Sequence, residues 1–154
     1  MYIKIICIGK MKKPYWKDAA HTYAQRLKRF SSLYTLEVKD GPKHLPPDKR
    51  MQVEAQAILA KTSPQDLLIS LDSQGLSISS SHLAARLKSW LESPGKNPCF
   101  VLGGADGLCA KLIAQSSAVL SLGPLTLPHE LARIVLLEQL YRASTIIHNH
   151  PYHH

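Results

Sequence analysis

The sequence of 154 residues has no long hydrophobic run. Its apolar stretches, for example residues 134–137, are far shorter than the roughly 18 or more residues that a membrane-spanning helix needs. Residues 2–9 are apolar, but Lys4 interrupts this short segment, so it lacks the pattern of a secretory signal peptide. We therefore expect a cytoplasmic protein that has no membrane partner.

Cysteine is scarce as well. Cys7, Cys99 and Cys109 are odd in number, lie far apart in the chain and stand in or beside apolar stretches. No C-x-x-C pair is present, which argues against a zinc site or a redox motif. The pattern predicts small buried side chains in a reducing cytosol.

The signatures of nucleophilic, metal-dependent and phosphate-binding enzymes are missing too. The sequence has no G-x-S-x-G, no H-E-x-x-H, and neither the G-x-G-x-x-G nor the G-K-[ST] glycine loop. His148 and His150 form an H-x-H pair, but no carboxylate or cysteine is near them, so we predict no metal. The remaining possibility is a reaction that needs a cofactor pocket but no strong protein nucleophile.

Acidic residues are few in the N-terminal third. Residues 1–50 contain 12 Lys and Arg against 4 Asp and Glu, whereas residues 51–154 contain 7 of each kind. The whole net charge of +8 therefore belongs to the first third of the chain. This asymmetry favours a nucleic-acid partner, while a basic face that serves only solubility remains the alternative.

Short apolar runs alternate with segments of helical character along the whole chain. The predicted strands are residues 2–8, 34–38, 67–71, 99–102 and 118–122. The predicted helices are residues 16–30, 49–61, 80–91, 108–115 and 129–144. This alternation predicts one α/β domain over residues 1–154, with a mostly parallel sheet flanked by helices.

Glycine follows each of the five predicted strands within a few residues. Parallel sheets bind ligands outside the carboxyl ends of their strands, and glycine there allows the backbone to approach a ligand closely. After the third, fourth and fifth strands the glycines are Gly75, then Gly103 and Gly104, then Gly123. The last of these loops, residues 122–128, is apolar and contains two prolines, which suits a flat ring such as adenine. Tight turns and a buried core loop are the structural alternatives.

The last predicted helix is apolar on more than one face, so it lies either deep in the core or against a second subunit. Glu138 and Arg142 stand four residues apart within it, in the order that favours an ion pair. Four of the eight histidines follow in residues 148–154. This tail is a metal site, a disordered terminus or a segment that folds over an active site.

Four motifs taken together resemble the RlmH family. They are the G-G-x-x-G-L loop at Gly103, the L-T-L-P-H loop at Leu125, the L-x-E-Q-L-Y-R-A helix at Leu136 and the P-Y-H ending at Pro151. Members are SPOUT-class methyltransferases that modify N3 of a pseudouridine in the 23S ribosomal RNA of the large subunit. The resemblance implies a C-terminal trefoil knot, S-adenosylmethionine as methyl donor, action on the ribosome, and a homodimer with sites at the subunit interface.

The resemblance also implies roles for particular residues. Tyr152 and His153 would lie near the target base, with His153 or a water held by the tail taking the N3 proton, and Glu138 and Arg142 would support them. The chain ends in Tyr152-His153-His154, where the family often has Tyr-His-Arg. The donor would bind in a cleft made by Leu71, Gly103, Gly104, Gly123, Pro124, Leu125, Thr126, Leu127 and Pro128.

Two other classes stay open on the sequence alone. One is a non-catalytic RNA-binding module, which the charge favours, although the chain has neither the aromatic strand motifs of RRM modules nor a KH-type loop. The other is a different enzyme that holds a nucleotide in the same cleft. Binding of S-adenosylmethionine distinguishes both from a methyltransferase.

Overall fold

The computed structural model describes residues 1–152 and shows five strands alternating with five helices. The strands are β1 (Tyr2–Ile8), β2 (Ser32–Val38), β3 (Asp66–Ser77), β4 (Asn97–Leu102) and β5 (Ala118–Ser121). The helices are α1 (Pro14–Leu27), α2 (Pro47–Leu59), α3 (Ser80–Glu92), α4 (Ala110–Ala114) and α5 (His129–Ile147). The predicted α/β alternation is confirmed.

The strands form one sheet in the order β2-β1-β4-β3-β5, and all neighbouring strands are parallel. β4 lies at its centre, paired with β1 on one side and β3 on the other, and Pro98 to Leu102 are buried. Because the strands are parallel, all five carboxyl ends lie at the same edge of the sheet. The glycine-containing loops therefore meet there.

Hydrophobic side chains fill both faces of the sheet, as expected for parallel strands covered by helices. Ile3, Ile5 and Phe100 belong to the cluster that includes α1, α3 and α5. Ile6 and Val101, whose side chains alternate with these along the strands, belong to the cluster that includes α2 and α4. The result is a three-layer α/β/α arrangement.

Helix starts follow local chemistry. The hydroxyl oxygen of Ser79 accepts a hydrogen bond from the His82 backbone at 3.2 Å and caps α3, which then buries Leu83 and Leu87. Pro14 and Pro47 are the first residues of α1 and α2, where the missing proline N–H has no helical partner to lose.

β3 is longer than the sequence predicts. It continues to Ser77, but its pairing with β5 shifts register between Leu71 and Leu76, so residues 72–75 leave the sheet and return. Gly75 is needed at the return, because a Cβ there would lie 2.6 Å from the Leu120 backbone. The turn residues that suggested a strand end mark this excursion instead.

The cysteines are free thiols, and Cys7 and Cys99 are buried. Burial raises the pKa of Cys7 to about 11 and that of Cys99 to about 12, so both stay protonated and unreactive. Among residues 1–152 no group of three or more acidic, histidine or cysteine side chains is placed to hold a metal ion. None of the helices in this described part combines the length and apolarity needed to cross a bilayer.

Candidate functional site

A cavity of about 770 Å³ opens at the carboxyl edge of the sheet, beyond β3, β4 and β5. Three loop segments line this strand-end cavity, residues 71–73, 102–107 and 121–129, together with Ala132 on the first turn of α5. Its volume is in the range of pockets that take a nucleotide-sized ligand. All nine residues predicted to bind the donor line it: Leu71, Gly103, Gly104, Gly123, Pro124, Leu125, Thr126, Leu127 and Pro128. Their role as donor contacts stays a prediction.

Two glycines of the loop after β4, Gly103 and Gly104, are packed too tightly to carry side chains. The Gly107 amide donates to the Gly104 carbonyl at 3.1 Å, which folds the loop back on itself. A Cβ on Gly103 would lie 2.6 Å from the Gly107 backbone, and one on Gly104 would lie 3.0 Å from Ile8. The cavity wall here is therefore backbone.

The apolar loop after β5 presents unused backbone groups to the cavity. Ser121 fastens the loop by exchanging hydrogen bonds with the Gly123 backbone at 3.1 Å. Within residues 1–152 no hydrogen bond engages the backbone of Leu125, Thr126 or Leu127, and the Leu125 side chain is 79% exposed. Free donors and acceptors beside apolar side chains suit the edge and face of a purine.

Two carboxylates at the cavity differ in their partners. Asp106 is held by Arg50 at 2.7 Å. Asp72 accepts a hydrogen bond from the Gln74 backbone at 2.9 Å and has no cationic partner among the described residues, so its charge faces the cavity. A carboxylate without a cationic partner complements the ammonium group in the methionine part of S-adenosylmethionine. The cavity thus offers an apolar surface, open backbone groups and one anion, and its residues fit that cofactor.

The other predicted site residues meet on α5. Glu138, Arg142 and Tyr152 form what we call the C-terminal cluster. Arg142 donates from Nε and Nη2 to Glu138 Oε1 at 3.0 and 2.8 Å, and its guanidinium lies 5.1 Å from the centre of the Tyr152 ring. The Tyr152 ring also packs 4.5 Å from that of Tyr141. These contacts fix the guanidinium between a carboxylate and an aromatic face.

The chemistry of this cluster is positioning rather than proton transfer. Glu138 already accepts from Arg142 at Oε1 and from Gln139 at Oε2, the latter at 2.7 Å. Hydrogen bonding to Glu138 raises the pKa of Arg142, and burial raises the pKa of Tyr152. Tyr152 is therefore protonated at neutral pH, and its hydroxyl donates to Glu138 Oε1 at 3.5 Å. His153, the predicted proton acceptor, lies outside the described residues.

One chain does not bring the C-terminal cluster to its own cavity. The only α5 residues that line the cavity in the described part of the chain are His129 and Ala132. Arg142 is 10 residues beyond Ala132, which corresponds to about 15 Å along a helix. The cavity thus lies at the N-terminal turn of α5, whereas the cluster starts at the middle of the helix and lies outside the cavity wall.

Several cavity residues were not predicted. Pro128 holds the N-cap position of α5, and His129, the next residue, lines the cavity. Asp72 directly follows the predicted strand at residues 67–71, and Asp106 lies in the glycine loop after the strand at residues 99–102, so their positions were a usable signal. Ala132 follows His129 by three residues and so lies on the same helix face, which could have been inferred.

A family model that matches nearly the whole chain defines the class of this protein. Residues 1–153 match the family model described as a predicted SPOUT methyltransferase, and the chain belongs to this family. The prediction of a knotted SPOUT-type α/β methyltransferase is confirmed by that membership.

The particular relatives narrow the class. The chain is 47% identical over 152 residues to the protein named Ribosomal RNA large subunit methyltransferase H of Desulfovibrio desulfuricans, covering 99% of this chain and 97% of the relative. It is 43% identical, with the same coverage, to the protein of that name from Maridesulfovibrio salexigens. A probable methyltransferase from Bordetella pertussis Tohama I superposes with a TM-score of 0.54 at 15% identity, covering 92% of this chain and 93% of that one, and shows the fold alone. The relatives confirm the predicted RlmH-type resemblance.

Proposed function

We propose that this protein transfers a methyl group from S-adenosylmethionine to N3 of a pseudouridine in the RNA of the large ribosomal subunit. The observation that carries the proposal is the convergence of nine predicted donor-binding residues on one cavity. Relatives that match over 99% of the chain bear the name of a large-subunit ribosomal RNA methyltransferase. Family membership favours this function over a non-catalytic RNA-binding module or a different nucleotide-using enzyme.

Bound S-adenosylmethionine supplies a sulfonium methyl that is already activated for transfer. The protein therefore has to hold it, exclude water and present the base. Leu122 and Leu127 offer apolar contacts for the adenine, the free backbone of Leu125 to Leu127 offers hydrogen bonds to its edge, and Asp72 offers a charge partner for the amino group. Alignment of this kind contributes several kcal/mol to a two-substrate reaction.

The reaction also needs a group that accepts a proton from the target base, because N3 must lose its proton as it is methylated. Glu138 and Tyr152 hold the Arg142 guanidinium in one orientation. Its remaining N–H groups can therefore bind the base without a further loss of side-chain entropy. We assign the proton to His153 or to a water that the tail holds. General-base assistance by a positioned imidazole contributes roughly 10² to 10⁴ in rate.

The active unit in this proposal is a homodimer. No residue of the C-terminal cluster lines the strand-end cavity of its own chain, so in this proposal the cluster of one copy serves the cavity of the other. A pair related by a two-fold axis brings two such composite sites together, since the same surfaces meet twice. We further propose that residues 1–154 form one domain that acts on the ribosome in the cytoplasm, consistent with the single sheet and its two flanking clusters.

The decisive experiment measures labelled methyl transfer to isolated ribosomal RNA, large subunits and whole ribosomes, with the product nucleoside identified by mass spectrometry. We expect N3-methylation of one pseudouridine, binding of S-adenosylmethionine by calorimetry, and a lower rate with an altered pH profile for His153→Ala. Tyr34→Phe, an exposed tyrosine on β2, serves as the control. Absence of donor binding at millimolar concentration contradicts the proposal, and full turnover of His153→Ala at every pH contradicts the assigned base.

A further inference from the structure

A second, smaller pocket lies beside the strand-end cavity. It has a volume of about 210 Å³ and opens next to the carboxyl ends of β1 and β2. This side pocket and the strand-end cavity share Ala105, Asp106 and His129 in their walls. A ligand in the side pocket would therefore be a neighbour of the group that is methylated.

Three of the four carboxyl groups of the side pocket are engaged within the protein. Asp106 pairs with Arg50 at 2.7 Å, and Glu130 accepts a hydrogen bond from the Lys12 backbone at 3.2 Å. Glu54 accepts from the Gly41 backbone at 2.9 Å, and burial raises its pKa. Asp40 is the carboxylate of this pocket that forms no hydrogen bond or ion pair with another described residue.

The lysine ammonium groups of the side pocket, unlike Arg50, form no ion pairs with other described residues. Lys10, Lys12 and Lys43 are exposed, and none of their ammonium groups forms an ion pair within the described part of the chain. Arg50 and Asp106 neutralise each other, and none of the three lysine ammonium groups is tied to a carboxylate, so all three can turn toward a phosphate. Such a set attracts phosphate while leaving one acceptor for an N–H donor.

Glycine keeps the floor of this pocket open. Gly9 has a φ of +83°, and a Cβ there would lie 3.4 Å from Asp40 Oδ2 and 3.6 Å from His129 Nε2. A side chain at this position would fill the gap between the carboxylate and the imidazole. Gly9, the glycine that follows the first strand, therefore belongs to the side pocket.

We propose that the side pocket binds an unpaired nucleotide of the RNA substrate next to the target base. Lys10, Lys12 and Lys43 hold its phosphates, and Asp40 accepts a hydrogen bond from an amino or imino group of its base. Unstacked bases in single-stranded RNA are commonly recognised through their edges in this way. The inference rests on the proposed function, because it presumes an RNA substrate whose target base meets the methyl donor at the mouth of the strand-end cavity.

The first test measures methylation kinetics of the full chain carrying Lys10→Ala and Lys43→Ala together. We expect the KM for the ribosomal particle to rise at least fivefold, with kcat and calorimetric S-adenosylmethionine affinity unchanged. The salt dependence of kcat/KM should flatten by roughly 0.7 in log–log slope for each RNA phosphate that the variant no longer binds. Lys111→Ala, an exposed lysine of α4 outside both pockets, is the matched control.

The second test concerns Asp40. Asp40→Asn keeps the shape but loses the charge, so we expect weaker methylation of the natural RNA and less discrimination against RNA fragments whose neighbouring nucleotides are exchanged. Asp48→Asn, exposed at the start of α2, is its control. If wild type methylates RNA while all pocket variants match their controls, the side-pocket inference is wrong and the proposed function stands. If wild type methylates no RNA, the proposed function itself is wrong.

Discussion

At the scale of single residues, the buried carboxyl group of Glu54 opposes folding at neutral pH. It is 4% exposed and accepts one hydrogen bond from the Gly41 backbone. Burial raises its pKa more than this hydrogen bond lowers it. The folded state therefore holds the Glu54 proton more tightly than the unfolded chain does. Its contribution to stability is present below the ordinary pKa and is lost as the pH rises through the raised one.

Glu54→Gln removes this titration while keeping an oxygen that accepts from Gly41. We expect the variant to be more stable than wild type at pH 7.5, with the difference shrinking as the pH falls toward the ordinary carboxyl pKa of about 4.5. Urea unfolding at several pH values measures this difference. A variant that is less stable than wild type at pH 7.5 contradicts the interpretation.

At the scale of elements, the strands and helices could be predicted because their signals are local. The short apolar run at residues 2–8 gives β1 with its observed bounds, and Ser79 marks the start of α3. The excursion of β3 at residues 72–75 could not be predicted, because Asp72 and Gly75 are also what an ordinary turn contains. Only the distance of Gly75 from Leu120, a residue 45 positions away, distinguishes the two.

A prediction at the scale of elements concerns the glycine loop after β4. Gly103→Ala places a methyl group against the Gly107 backbone, and we expect a loss of about 1–3 kcal/mol in the free energy of unfolding together with weaker S-adenosylmethionine binding. Gly95→Ala is the control, because Gly95 has a φ of +67° but no atoms within 4 Å of a Cβ. It should lose stability through backbone strain and keep its donor affinity. Calorimetry showing wild-type affinity for Gly103→Ala would argue against this account of the loop.

At the scale of the whole molecule, the candidate site could be predicted only in parts. The loops at the strand ends follow from parallel topology, so Leu71, Gly103 and Gly123 could be grouped from sequence. The separation of Arg142 from them depends on how α5 crosses the sheet, which no local pattern encodes. The same holds for the side pocket, where Asp40 and Lys43 meet Lys10 through the pairing of β1 with β2.

A mixing experiment tests whether sites are shared between two copies. We expect the Gly103→Ala and Arg142→Ala variants each to have low methyltransferase activity. After subunit exchange, the activity of a mixture of the two should exceed the sum of their separate activities. In a mixed dimer with composite sites, one site carries both changes and the other carries neither. A mixture of Arg142→Ala with Tyr152→Ala should gain nothing, because both changes lie in the C-terminal cluster. No gain in the first mixture would mean that each chain completes its own site.

The central position of β4 bears on how the protein is made. β1 and β2 can pair early, but the other edge of β1 has no partner until residues 97–102 have been synthesised. Until then Ile3, Ile5 and Ile6 belong to an unfinished sheet, the kind of edge that promotes aggregation. A chain whose translation stops before β4 lacks the strand that joins β1 to β3. We therefore expect such a truncated chain to be degraded by proteases rather than to fold into a partly active enzyme.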